Sequence, residues 1–170
     1  FTDCEGNTHD WVYTYTIESL DFTMPANTGS TIACAASLAE PIVPEVKDNC
    51  GNVLSPAAVV ISETPACEGD LTYTYKFTDC EGTAHDWVYT YTIERNDFTM
   101  PTNAGSTVAC AADIVAPTLP VVTDNCGNAL TASPALISET PACEGTVSYT
   151  YTFTDCEGTA HDWVSFTTGS

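Results

Sequence analysis

"LTYTYKFTDCEGTAHDWVYTYTIE", Leu71 to Glu94, decides the fold. Its first half places Leu71, Tyr73, Tyr75 and Phe77 on one face and Thr72, Thr74, Lys76 and Thr78 on the other. Its second half sets Trp87, Tyr89, Tyr91 and Ile93 against Val88, Thr90 and Thr92. Strict period-two alternation of aromatics with threonines predicts two half-buried strands, aromatic side inward. "DCEGTAHD" between them supplies a Gly-containing turn, so the pair reads as a hairpin. No window carries a helical period; the nearest, "ACAASLAE", is cut off by Pro41 and Pro44.

The turn and its second strand are written three times, starting at Phe1, Phe77 and Phe153, an interval of 76 residues. Laying residues 1–94 on 77–170 gives 63 identities in 94 positions. That is a tandem array, and its period is the size of a small independent domain. The segment "RNDFTMPTNAGS" after Glu94, matched by "SLDFTMPANTGS" after Glu18, carries charge, Pro and Gly and reads as a joint. The expected organisation is a repeat over 21–96, a second over 97–170, and residues 1–20 as the closing hairpin of a preceding repeat. On this reading the chain is a slice of a longer array.

A domain this small buries only about 60% of its unfolded surface and usually needs covalent staples. Nine cysteines fall at Cys4, Cys34, Cys50, Cys67, Cys80, Cys110, Cys126, Cys143 and Cys156, four per repeat with Cys4 left over. An even count in a small β-rich unit points to disulfides and an oxidising, extracellular compartment. Cys34 and Cys50 bracket one stretch, and Cys67 and Cys80 another. If each stretch is mostly one strand, its two cysteines stand roughly 25–30 Å apart at about 3.3 Å per residue, beyond the reach of a disulfide. In a seven-strand sandwich the second and sixth strands run the same way. The expected pairs are therefore Cys34–Cys67 and Cys50–Cys80, repeated as Cys110–Cys143 and Cys126–Cys156, with Cys4 unpaired.

Three basic residues (Lys47, Lys76, Arg95) face 23 acidic ones, for a net charge of −20. A phosphate backbone and an anionic lipid surface both repel such a chain, which argues against nucleic-acid and membrane-surface partners. No apolar run reaches the 18 residues of a spanning helix.

"VVTDNCGN", followed by "YTYTFTDCEG" and an aromatic closing strand, resembles the hyalin repeat (HYR), an immunoglobulin-like module. The fuller wording, with "ISETPACEG" and "FTDCEGTAHDWVYTYTIE", is similar to tandem arrays in giant secreted surface proteins of Bacteroidetes-type bacteria, including gliding-motility adhesins of the SprB type. The likeness runs through all 170 residues and departs at the C-terminus, where "VSFTTGS" replaces "VYTYTIE". It implies an all-β chain of tandem immunoglobulin-like β-sandwich repeats, disulfide-stapled, in an extracellular adhesive or spacer array exported by the type IX pathway.

Candidate chemistry is sparse. His9, His85 and His161 share one repeat position, "HDW", and no nucleophile recurs beside them in a catalytic arrangement. The expected role is structural and the expected protein is not an enzyme. Zinc at Cys50, Cys80 and His85 would lack any CxxC pair and suits a reducing compartment better. Calcium has more to recommend it, because hard oxygens gather around the Cys50 and Cys80 loops. The candidate ligands are Asp48, Asn52, Asp79, Glu81 and Asp86, their counterparts Asp124, Asn128, Asp155, Glu157 and Asp162, and Glu94 with Asp97 at the joint. Their spacing matches no EF-hand, and the competing reading is a solvated acidic surface with Asx turns at Asp48 and Asp79. Isopeptide staples need a lysine at a repeated position, and Lys47 becomes Thr123 while Lys76 becomes Thr152, which argues against them. The function expected is a structural or adhesive module of a long cell-surface fibre. Its partners would be neighbouring repeats, and surface polysaccharide or other cells. The alternative is a carbohydrate- or protein-binding module of a secreted multidomain protein.

Overall fold

The computed structural model describes residues 1–169 and bears out an all-β chain. Ten strands follow one another: β1 (Thr28–Ile32), β2 (Val46–Lys47), β3 (Val53–Leu54), β4 (Val60–Ile61), β5 (Gly69–Thr78), β6 (Ala84–Ile93), β7 (Ala104–Val108), β8 (Leu136–Ile137), β9 (Gly145–Thr154) and β10 (Ala160–Gly169). Two single 3-10 turns, Ala35–Ser37 and Ala111–Asp113, are the helical content of the described residues. Each copy of the repeat builds a four-stranded sheet, in the orders β1-β6-β5-β4 and β7-β10-β9-β8.

The central hairpins are the strands that the alternation predicts. In β5, Leu71, Tyr75 and Phe77 are buried, and in β6, Trp87, Tyr91 and Ile93. Burying one such side chain contributes about 1.5–3 kcal/mol, so these strands carry most of the apolar gain. Missing from the sequence reading is the first strand of each sheet. β1 runs parallel to β6, pairing Thr28 with Tyr89 through Ile32 with Ile93, and β7 runs parallel to β10, Ala104 with Ser165 through Gly169 with Val108. Both lie inside or just after the segments read as joints. Those segments also contribute core: Phe22 and Phe98 are each 5% exposed.

The chain divides into two units that interleave along the sequence: Phe1–Ala26, Val43–Val59 and Tyr75–Trp87 in one, and Asn27–Ile42, Val60–Thr74 and Val88 onward in the other. In the first, Phe22, Val46, Tyr75, Phe77 and Trp87 are buried. Phe22 meets the His85 ring edge to face at 4.9 Å, and His85 Nε2 bonds the Asp21 carboxylate at 2.8 Å. The small β2–β3 ladder pairs Val46 with Leu54. Residues 1–20 form a turn and an isolated Thr2–Thr8 bridge but no strand. Trp11 is 72% exposed there, whereas its repeat mate Trp87 is 3% exposed. β6 lies against β5; residues 9–20 have no such strand beside them.

In the second unit, Phe98, Val122, Val147, Tyr149, Tyr151, Phe153 and Trp163 form one core cluster. β10 pairs with β9 along its length, Ala160 with Thr154 through Gly169 with Gly145. The divergent ending "VSFTTGS" stays in the sheet as far as Gly169, with Ser165 and Thr167 buried. The Thr167 hydroxyl is 3.0 Å from that of Ser106 on β7, which gives the buried threonine a hydrogen-bond partner.

Candidate functional site

Five loops share one design: Asp3–Asn7, Asp48–Asn52, Asp79–Thr83, Asp124–Asn128 and Asp155–Thr159. In each, the backbone N–H of the Asp donates to the carbonyl of the fifth residue, and the glycine N–H donates back to the Asp carbonyl. The glycines sit at φ of about +84° to +91°, the left-handed region that a side chain disfavours. The Asp Oδ1 accepts from the N–H groups two and four residues on, as Asp124 does from Cys126 (2.9 Å) and Asn128 (2.8 Å). Each loop is thus closed by its own aspartate, and each carries one cysteine: Cys4, Cys50, Cys80, Cys126 or Cys156.

The other four cysteines stand at sheet ends. Cys34 and Cys110 follow β1 and β7 by two residues, and Cys67 and Cys143 precede β5 and β9 by two residues. In the second copy, Val108, Gly169 and Gly145 lie level across the sheet, so Cys110 and Cys143 share one end of it. Cys156 lies beyond the other end of the ten-residue strand β9, roughly 30 Å away at about 3.3 Å per residue.

Two disulfides form, and each joins a sheet-end cysteine of the first copy to a loop cysteine of the second. Cys34 bonds Cys126 with Cα atoms 5.6 Å apart, and Cys67 bonds Cys156 at 5.7 Å. The expected pairs Cys34–Cys67, Cys50–Cys80, Cys110–Cys143 and Cys126–Cys156 are corrected accordingly. The premise of one strand per bracket holds for Cys67 and Cys80, which flank the ten-residue β5, and fails for Cys34 and Cys50, between which lie a 3-10 turn and only the two-residue β2. The premise that both partners lie in one copy fails as well. Cys4, Cys50, Cys80, Cys110 and Cys143 are free and exposed.

Charged groups surround the two bonds. Arg95 donates from Nη1 to Asp124 Oδ2 at 2.8 Å, with both side chains almost wholly buried. Its backbone N–H donates to Glu68 Oε1 at 2.7 Å, and its Nε to the Cys67 carbonyl at 3.4 Å. Partial burial pushes the Asp124 carboxyl up, but the bonds from Asn128 and Cys126 and the Arg95 charge outweigh it and hold the group below the usual carboxylate range. Glu157 is shifted the other way, first by its hydrogen bond to the Glu68 carboxyl and then by desolvation and like charge. Glu68, held by the Arg95 N–H and by Glu157, moves down. The two glutamates therefore share one proton more readily than separate carboxylates do.

The candidate calcium ligands are engaged elsewhere. Asp48 with Asn52, and Asp124 with Asn128, close their own loops through side-chain amide bonds of 2.8 Å. Those bonds hold the Asp48 carboxyl low. Asp79 and Asp155 accept loop N–H groups. Asp86 lies 3.5 Å from Lys76, Asp162 accepts from Thr152 at 2.6 Å, and Asp97 bonds His161 at 2.7 Å. Glu157 faces Glu68, and Glu81 and Glu94 are exposed. Among the described residues no group of three or more His, Cys, Asp or Glu is placed to hold a metal ion. The sequence reading missed Arg95 and Glu68. The available signal was that Arg95 stands where the previous copy has Ser19, a gain of charge in a segment that the two copies largely share.

An all-β array whose copies are tied by two disulfides is the architecture of an extracellular, adhesion-type tandem repeat. A family model, the HYR-like domain with 4 cysteines, matches residues 22–93 and again 98–168, and the chain belongs to that family. No curated protein matches the chain. No helix among the described residues is long and apolar enough to cross a membrane.

Proposed function

We propose that this chain is a non-catalytic, tension-bearing segment of a long extracellular fibre at a cell surface, with adhesion as the fibre's purpose. The observation that supports this reading is the pair of bonds Cys34–Cys126 and Cys67–Cys156, which fasten one copy of the repeat to the next. Covalent ties between copies suit a tether under shear. The resemblance to giant Bacteroidetes-type adhesins extends the proposal to gliding motility and type IX export, with surface polysaccharide or other cells as the target. Repeats over 21–96 and 97–170 are the units of this fibre.

Single-molecule pulling on the two chain ends tests the mechanical role. With the disulfides intact, the shortest covalent path runs from Phe1 to Cys34, across the bond, and on from Cys126 to the C-terminus, less than half of the chain. At about 3.3–3.6 Å per residue, the released length should therefore more than double when a reductant is added. Equal lengths with and without reductant would remove the proposal.

A further inference from the structure

Two cysteines of one kind compete for Cys34. Cys50 and Cys126 both stand third in "DNCGN", and their loops share the same hydrogen bonds. Asp48 Oδ1 accepts from the N–H groups of Cys50 and Asn52, as Asp124 Oδ1 does from those of Cys126 and Asn128. No long strand holds Cys34 away from Cys50, since a 3-10 turn and the two-residue β2 lie between them. Loop closure favours the nearer thiol. Cys50 is 16 residues from Cys34, whereas Cys126 is 92. With a three-halves power of loop length, Cys50 leads by roughly tenfold. Yet the bond goes to Cys126.

What differs lies outside the shared words. Arg95 Nη1 donates to Asp124 Oδ2 at 2.8 Å, while Oδ1 of the same carboxylate holds the Cys126 N–H at 2.9 Å. One side chain thus links the guanidinium to the backbone of the cysteine. The ion pair is almost wholly buried, so salt screens it little. Arg95 also stands beside Cys34. Ile32 on β1 and Ile93 on β6 are level, the Glu94 N–H donates to the Ile32 carbonyl, and Cys34 and Arg95 each lie two residues beyond that pair. On the β5 side, Arg95 Nε donates to the Cys67 carbonyl at 3.4 Å. Arg95 and Asp124 are only 29 residues apart. With β1 paired on β6, closing that short loop carries Cys126 to Cys34. The Asp48 loop is met instead by Ser19, the counterpart of Arg95 in the preceding copy, whose neutral hydroxyl donates to Asn49 Oδ1 at 3.2 Å.

We propose that Arg95 is a positioning residue for oxidative folding: by gripping Asp124 it delivers Cys126 to Cys34 ahead of the nearer Cys50. The bond itself is made by exchange with a small-molecule disulfide such as oxidised glutathione. One cysteine thiolate attacks a glutathione sulfur and expels a first glutathione thiolate. The second cysteine thiolate then attacks the mixed disulfide and expels the other. Two electrons pass to glutathione, and the two thiol protons end on the two glutathiones. Arg95 takes no part in that exchange; it decides which thiol arrives. This choice of partner is independent of whether the array serves as a fibre.

The test is to refold the fully reduced chain in oxidised and reduced glutathione, alkylate the remaining thiols at intervals, and map the disulfides by mass spectrometry. The native chain should form Cys34–Cys126 in excess over Cys34–Cys50. In Arg95→Ser that ratio should fall by about tenfold or more, the worth of a hydrogen bond between charged groups. Arg95→Lys, which keeps the charge, should recover part of the loss. Arg95→Ser combined with Cys50→Ser should again form Cys34–Cys126, because the competitor is gone and the fold is intact. An unchanged ratio in Arg95→Ser would overturn the proposal. Failure of the double variant to form the bond would overturn it too, by making Arg95 a requirement of folding and not a guide to the partner.

Discussion

Arg95 is one of three basic residues in a chain of net charge −20, and it is spent on a nearly buried carboxylate beside a disulfide. Asp124 is held by its own loop and by the guanidinium together, so removing the cation leaves a desolvated charge with only amide donors. Arg95→Ser, which installs the residue of the preceding copy, should cost roughly 1–3 kcal/mol in urea unfolding; no change would show that the loop alone satisfies Asp124. Glu157 sets a pH dependence of the opposite kind. Its folded pKa is raised above the ordinary 4.5, so its contribution is complete below that value and is lost as pH rises through the raised one. Asp124, Asp48 and Glu68 are shifted down, so theirs is present at neutral pH and is lost in acid. Melting temperatures followed from about pH 4.5 to 7 should therefore fall for the native chain and stay flatter for Glu157→Gln. A Gln variant that tracks the native curve throughout would dismiss the shared proton.

At the scale of the element, the ten-residue strands were legible because alternation over eight or more residues has no competing explanation. β1 and β7 were not, and the reason is physical. Five residues of "TGSTI" and "AGSTV" carry little apolar pattern, lie beside Pro and Gly, and gain order by pairing in parallel with a strand some sixty residues later. Local propensity does not report such a partner. Gly29 marks how close that pairing is, since a Cβ there would run into the Thr90 carbonyl oxygen, whereas at Gly105 the nearest atom, the Phe166 oxygen, is 3.8 Å away. Gly29→Ala should therefore destabilise by about 1–3 kcal/mol and Gly105→Ala by no more than about 0.5 kcal/mol. Equal effects in thermal unfolding would refute the difference in spacing. The Asx loops were half legible. Asp48 and Asp79 were read as Asx turns, but the same carboxylates were also offered to calcium, because sequence shows the oxygens without showing which N–H groups already occupy them.

For the whole molecule, the hard limit on the sequence was its own periodicity. In a tandem array a cysteine's partner in its own copy and its partner in the next copy have the same neighbours, so residue identity cannot choose between them. The ten-residue β5 keeps Cys67 from Cys80, yet strand length could not say that cysteines of these kinds meet one period later as Cys34–Cys126 and Cys67–Cys156. Loops this long give each bond a chain-entropy value of about 4–5 kcal/mol. Urea unfolding with and without dithiothreitol should differ by at least that much, and coincident curves would mean that the bonds do not form in solution. The separations also impose an order in time. A ribosome, and any export channel that passes the N-terminus first, delivers Cys34 long before Cys126 exists and Cys67 long before Cys156. Cys34 and Cys67 must therefore wait reduced until the second copy's loops arrive, so the two bonds close behind the growing end like a zip.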